Sequence, residues 1–401
     1  MKHVIVILDG AAGWPLPELD GRTTLEAART PNLDALAAEG TLGLAQTVPE
    51  GAEPSSAAAC TAILGYDPVA NAVGRGAIEA ASMGIALGPG QVALRLNLVS
   101  IVDGRMSSYA CGHIPTLDSA AIMRDLSDAL AGDVFSFHPG VSYRHILVVT
   151  GHRELFEARY TPPHDISDKP VSAYLPDGPG ADLLLDLMER ARPVLAASAV
   201  NNARARKGQV VASHIWPFWP GVAPERLIPF AATRGRHAAL TSGVDLLNGL
   251  ARLFGIDRLE IDGVTDGSDN DYAAQTAGAL AALKDHDVVF VHVESPDEEG
   301  HAGNIGGKIA AIEDIDREVV GPLRDAMLSA EGGMRLLAMP DHPTPIAIKT
   351  HVGEAVPFVI AGSGVPANGG GGFDEHSAAA TGLRVDPGHL VLDRMLADQI
   401  D

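Results

Sequence analysis

The sequence predicts an α/β fold, a mostly parallel sheet flanked by helices, into which a separate α+β domain is inserted. Three observations predict it. Val4-Ile5-Val6-Ile7-Leu8 and Leu336 to Met339 are continuous apolar runs of the kind buried on both faces of a parallel sheet. From His237 onward, strand-like and helix-like segments alternate in the βαβ manner. Between Gly76 and Arg236 that texture gives way to other strand runs, one helical pattern and clustered prolines. Residues 1–75 and 237–401 are therefore expected to form one core domain, and 76–236 an insertion.

Taken in order, the first run ends in Asp9-Gly10, which places a carboxylate at a strand's carboxyl end. Thr30-Pro31-Asn32-Leu33-Asp34-Ala35-Leu36 carries a threonine cap and a proline at the first helical position, so a helix is expected to run to Gly40. Gly43 to Val48 reads as a strand. The loop Pro49 to Ser56 then delivers two serines to a helix expected from Ser56 to Leu64. In the insertion, strands Val92–Val99 and Ser142–Thr150 flank a helix from Ser119 to Leu130. After it come helix Val244–Phe254, strand Arg258–Ile261, helix Tyr272–Leu283, strand Asp287–Val293, helix Lys308–Met327 and strand Leu336–Met339. Asn368 to Gly372, with four consecutive glycines, reads as a mobile surface loop. Trp216 and Trp219 are expected in domain packing, and His292 and Cys60 in the core.

Composition narrows the function. A formal net charge of −22 repels phosphate backbones and anionic lipid, which argues against nucleic acid and membrane surfaces as partners. Two cysteines form no disulfide framework and suit a reducing compartment. No apolar stretch approaches a membrane span, and the N-terminus lacks a leader pattern, so a soluble cytoplasmic protein is expected.

The chemistry gathers at predicted strand ends. Pro340-Asp341-His342-Pro343-Thr344-Pro345 sets a carboxylate and an imidazole side by side, pinned by prolines. Asp297 and His301 are four residues apart at a helix start, a spacing that turns both toward one ion, and His351 precedes a further apolar run. With Asp9 and a serine hydroxyl, Ser55 or Ser56, these suffice for two ions. Carboxylate and imidazole donors without thiolate suit manganese, zinc or magnesium, and three histidines weigh against magnesium alone. Two such ions bridge the attacking and leaving oxygens of a phosphoryl displacement, and a metal-bound serine is a covalent nucleophile.

Asp9-Gly10, the Thr30 to Leu36 helix, Leu64-Gly65-Tyr66-Asp67-Pro68, Glu79-Ala80-Ala81-Ser82-Met83-Gly84, Val293 to His301 and Pro340 to Pro345 together resemble the archaeal-type, cofactor-independent phosphoglycerate mutases of the alkaline phosphatase superfamily. Closely similar bacterial members are proposed to be homoserine kinases. The resemblance implies an alkaline-phosphatase-like core with Asp297, His301 and His351 on one divalent ion, and Asp9, Ser56, Asp341 and His342 on the other. It implies Ser56 as nucleophile, a small phosphorylated metabolite as substrate, and His113, Arg144 and Arg204 in the insertion as its contacts. An arginine fork is a common way to hold phosphate and carboxylate. Three positions depart from the family's usual pattern: Ala57 for an aspartate, Cys60 for an asparagine and Gln275 for a lysine. Loss of the lysine removes charge from where charge develops. A homoserine kinase-like enzyme, a phosphatase and a metal-binding homologue without turnover therefore remain open beside the mutase.

Overall fold

The computed structural model describes residues 1–223 and 227–399. Its strands are β1 (Lys2–Leu8), β2 (Thr41–Ala45), β3 (Gln91–Val102), β4 (Arg105–Ser108), β5 (Phe135–His138), β6 (Arg144–Thr150), β7 (His214–Val222), β8 (Ala238–Thr241), β9 (Asp257–Arg258), β10 (Val288–Val293), β11 (Met334–Met339), β12 (Val356–Gly362) and β13 (Arg384–Val385). Eight of them make one sheet in the order β13-β2-β12-β11-β1-β10-β8-β9. Within it β11, β1, β10, β8 and β9 run parallel, while β12 is antiparallel to both β11 and β2. The mixed α/β architecture with a mostly parallel sheet is the one expected.

Val4 to Leu8 lie at the centre of that sheet and are completely buried. Each such side chain contributes about 1.5–3 kcal/mol on burial. A strand anchored this strongly can hold the charged group that follows it in a fixed place. Among the described residues, no helix is long and apolar enough to cross a membrane.

The second sheet is antiparallel, ordered β4-β3-β6-β5, with β7 also paired to β3. Leu94, Leu96, Leu126, Leu187 and Trp216 share its core. The buried Trp216 donates its indole N–H to the Thr161 carbonyl, and the Arg75 guanidinium lies 4.1 Å above the Trp219 ring. By compactness the chain divides into Met1–Ala72 with Arg226–Asp401, and Val73–Glu225.

Several elements differ from their expected form. The helix expected over Lys308–Met327 is instead a helix Ile305–Ile315, a wide π turn Asp316–Val320 and a helix Gly321–Ser329. Pro322 has no amide to donate, and the Asp316 carboxylate is drawn toward the amides of Asn32 and Leu33. There it caps helix Pro31–Glu39, a task that Thr30 does not perform. The strand expected at Arg258–Ile261 contracts to Asp257–Arg258. The four-glycine stretch is tied down: Asn368 bonds both the amide and the carbonyl of Leu42, and Phe373 donates to Asp34.

Candidate metal centre

Three adjacent parallel strands, β10, β1 and β11, lead at their carboxyl ends into Glu294, Asp9 and Pro340-Asp341-His342. In open α/β sheets this edge is where ligands bind. Gly10 follows Asp9 with φ +59°, and a Cβ there would lie 2.3 Å from Asp297 Oδ1 and 2.7 Å from Thr344 Oγ1. Only glycine leaves room for the site behind it.

Helix Ser295–Ala302 turns Asp297 and His301 to one side, and His351 reaches the same place from the loop beyond β11. His301 Nε2 lies 3.0 Å from Asp297 Oδ2 and 2.9 Å from His351 Nε2, and His351 Nε2 lies 3.5 Å from Asp297 Oδ1. The three donors thus surround one point. His301 Nδ1 faces the Lys349 carbonyl at 3.0 Å, so it carries a proton and leaves Nε2 toward the cluster. Burial alone would raise the Asp297 carboxyl, but bonds to His301 and His351 outweigh it and hold it well below the usual range. The bond to Asp297 pushes His301 up to about 9.

A second group converges on His342. Its Nε2 is 3.1 Å from Ser56 Oγ, 3.1 Å from Asp341 Oδ2 and 3.8 Å from Asp9 Oδ1. Its Nδ1 is 3.3 Å from Thr344 Oγ1, whose own proton goes to Asp297 Oδ1. Thr344 therefore accepts from Nδ1, and the Nε2 lone pair faces the cluster. Asp341 Oδ1 accepts from the amides of Gly10 and His342 at 3.0 and 2.8 Å. The choice between the two serines is geometric: Ser55 caps helix Ser56–Ile63 by accepting from the Ala58 amide, while Ser56 presents its hydroxyl to His342.

Asp9 is fully buried, and its Oδ1 has no hydrogen-bond partner among the described residues. Burial, then the charges of Asp341 and Asp297, pushes its carboxyl well up. Such an orphaned, crowded carboxylate is costly unless a cation meets it, and a dication reverses the repulsion. Both donor sets therefore fit divalent ions.

Two residues expected in the core are buried there and also contact this centre. His292 Nε2 lies 2.7 Å from Asp9 Oδ2, and its Nδ1 lies 2.9 Å from Ser242 Oγ. Since Ser242 Oγ already accepts from the Val244 amide, its proton points to Nδ1, which leaves a neutral His292 donating to Asp9 from Nε2. Burial lowers its pKa in keeping with that form. Cys60 Sγ is 3.6 Å from Asp341 Oδ2, and burial followed by nearby carboxylates pushes its thiol well up. The one sequence signal for His292 was a histidine inside an apolar strand. Beneath the loops, buried Lys308 donates to the carbonyls of Ala12 and Thr344, tying the segment after Asp9 to the one after His342.

A family model for 2,3-bisphosphoglycerate-independent phosphoglycerate mutase matches residues 37–201. A Geobacter sulfurreducens protein named probable 2,3-bisphosphoglycerate-independent phosphoglycerate mutase is 41% identical over 401 residues, spanning 99% of this chain and 100% of its own. The chain belongs to the 2,3-bisphosphoglycerate-independent phosphoglycerate mutase family. A mutase of that name from Methanothrix thermoacetophila is 43% identical over 397 residues, with 99% and 100% of the two chains covered. Among solved structures, a Pyrococcus horikoshii protein superposes with a TM-score of 0.84 at 26% identity, over 100% of this chain and 99% of the other. The cofactor-independent phosphoglycerate mutase of Thermoplasma acidophilum gives 0.70 at 27% identity, over 99% of each chain.

Within this member of the mutase family, the three candidate substrate contacts are disposed differently from one another. His113 is exposed, its ring 5.8 Å from that of Tyr143, and Arg144 is exposed at the start of β6. Arg204 is buried and held by Asp118 at 2.9 Å and the Val210 carbonyl at 3.1 Å, so its charge is engaged inside its own unit. Gln275 is also buried: it accepts from Asn270 at 2.8 Å and donates to the His292 carbonyl at 2.9 Å. Its amide thereby braces the strand that carries His292.

Proposed function

We propose that this chain interconverts 2- and 3-phosphoglycerate through a phosphoserine at Ser56, with two divalent ions, manganese or zinc, held by Asp297, His301 and His351 and by Asp9, Ser56, Asp341 and His342. The observation that carries this reading is Ser56 Oγ at 3.1 Å from His342 Nε2, beside an Asp9 oxygen that no group among the described residues satisfies. The ions, when bound, supply charge stabilisation for an in-line phosphoryl transfer. Ser56 is the acceptor oxygen, and its place at the start of helix Ser56–Ile63 favours the negative charge that develops there. His292 holds Asp9 in orientation through Oδ2. In the inserted unit, exposed His113 and Arg144 are the side chains we assign to the substrate's carboxylate and phosphate. With both cysteines free, a cytoplasmic setting suits the chain.

Gln275 favours a second reading. It is neutral and bonded at both ends of its amide, so this position offers no cation to the phosphoryl group. A phosphatase outcome, with water taking phosphate from Ser56, follows if that charge is needed to protect the intermediate. Incubation of the manganese-loaded protein with 3-phosphoglycerate, followed by phosphorus NMR, separates them. Formation of 2-phosphoglycerate supports the mutase, release of inorganic phosphate alone supports the phosphatase, and neither product with no phosphate on Ser56 refutes both.

A further inference from the structure

We propose that the thiolate of Cys60 is a ligand of the cation bound by Asp9, Ser56, Asp341 and His342, and that it biases this site toward zinc over manganese or magnesium. The inference rests on the two-ion reading above. Cys60 follows Ser56 by four residues on helix Ser56–Ile63, so the two side chains share one face, a turn apart. Its Sγ lies 3.6 Å from Asp341 Oδ2, which is itself 3.1 Å from His342 Nε2. Cys60 Sγ also lies within 4.8 Å of an Asp9 carboxylate oxygen. Independently, Asp9 Oδ1 is completely buried and, among the described residues, unpartnered, which marks a place in this cluster where a cation belongs.

The alternative is a small buried hydrophobe whose S–H weakly bonds Asp341. Position argues against it. A purely packing role needs no donor atom within reach of two carboxylates, those of Asp341 and Asp9, whereas soft sulfur added to a hard set changes which ion is preferred. Coordination breaks the S–H bond, releases that proton to bulk water and forms one sulfur-to-metal bond, with no change of oxidation state.

Cobalt(II) reports on this directly. The full-length protein, stripped of metal and titrated with Co2+, is expected to show a thiolate-to-cobalt charge-transfer band in the near ultraviolet alongside the visible d–d bands. Cys111 is the other cysteine in the sequence, so Cys111→Ser must retain the band and Cys60→Ser must lose it. The Cys111 variant assigns the band even if the Cys60 variant folds poorly. In competition dialysis, Cys60→Ser is expected to lower zinc affinity by about tenfold while leaving manganese affinity within about twofold. Cobalt d–d bands without charge transfer, or a band that survives Cys60→Ser, overturn the role of Cys60 and leave the two-ion reading standing. Failure to bind cobalt at all overturns both.

Discussion

Ser56 Oγ stands 3.1 Å from His342 Nε2, while the hydroxyl of Ser55, one residue earlier, turns back onto the Ala58 amide. Adjacent serines thus turn to different partners, and the proposed mechanism gives them different tasks. Ser56→Ala is expected to abolish phosphoenzyme and to lower kcat by on the order of 10⁴-fold or more, as loss of a nucleophile does elsewhere. Ser55→Ala is expected to keep the phosphoenzyme and to cost about 1 kcal/mol of stability through the lost cap. Intact-mass analysis after mixing with substrate, together with urea midpoints, distinguishes them. Phosphate surviving in the Ser56 variant would transfer the nucleophile to another residue.

His292 holds Asp9 at 2.7 Å through Oδ2, which leaves Oδ1 toward His342. His292→Ala removes the donor that orients this carboxylate. Metal affinity is expected to fall 10- to 100-fold, the range seen when such supporting bonds are lost. Equilibrium dialysis with Zn2+ measures this, and activity should return in part at saturating metal. Unchanged affinity would reduce His292 to core packing.

Metal binding should also depend on pH through His301. With no ion, the bond to Asp297 and burial acting against it leave the imidazole at about 9, above its ordinary 6.5. That proton must leave before Nε2 can bind a cation, so affinity is expected to rise about tenfold per pH unit up to about pH 9 and then level off. For the metal-free protein the sign is the reverse. A raised folded-state pKa means that the contribution of His301 to stability is complete below pH 6.5 and is lost as pH rises through about 9. A zinc titration in weak buffer with a pH indicator at pH 7.5 should release this proton, and His301→Ala should remove it.

The residues that end apolar runs were legible because strand chemistry repeats. Asp9, Asp297 and Asp341 each follow a β-branched or aliphatic stretch, and the parallel sheet brings those ends together. What escaped lies inside the runs. His292 is one polar residue in a strand otherwise read as core, and its meaning depends on Asp9, 283 positions away. Cys60 stood out as a departure from the family's asparagine, but nothing local pointed to Asp341, 281 positions away. The cap on helix Pro31–Glu39 comes from Asp316, across a comparable sequence gap, while local pattern pointed to Thr30. Long-range pairing of this kind leaves no local periodicity to read.

The inserted unit carries its own acid sensitivity. His145, the second residue of β6, is buried, and its Nδ1 accepts the Gly140 amide proton at 3.0 Å. An accepting nitrogen bears no proton, so charging the ring would break this bond and strand a cation in the core. Burial, with Arg95 adding to it, lowers its pKa to about 3. An unfolded histidine titrates near 6.5. Between these values the unfolded chain takes up a proton that the folded chain refuses, so stability is full above pH 6.5 and is lost as pH falls toward 3. His145→Asn keeps a carbonyl oxygen for Gly140 and removes the titration. From pH 6.5 to 5, the wild type is therefore expected to lose about 2 kcal/mol more than the variant. Urea unfolding at the two pH values measures the difference. Parallel declines in both proteins would mean that His145 is already charged in the folded state, which its bond to Gly140 forbids.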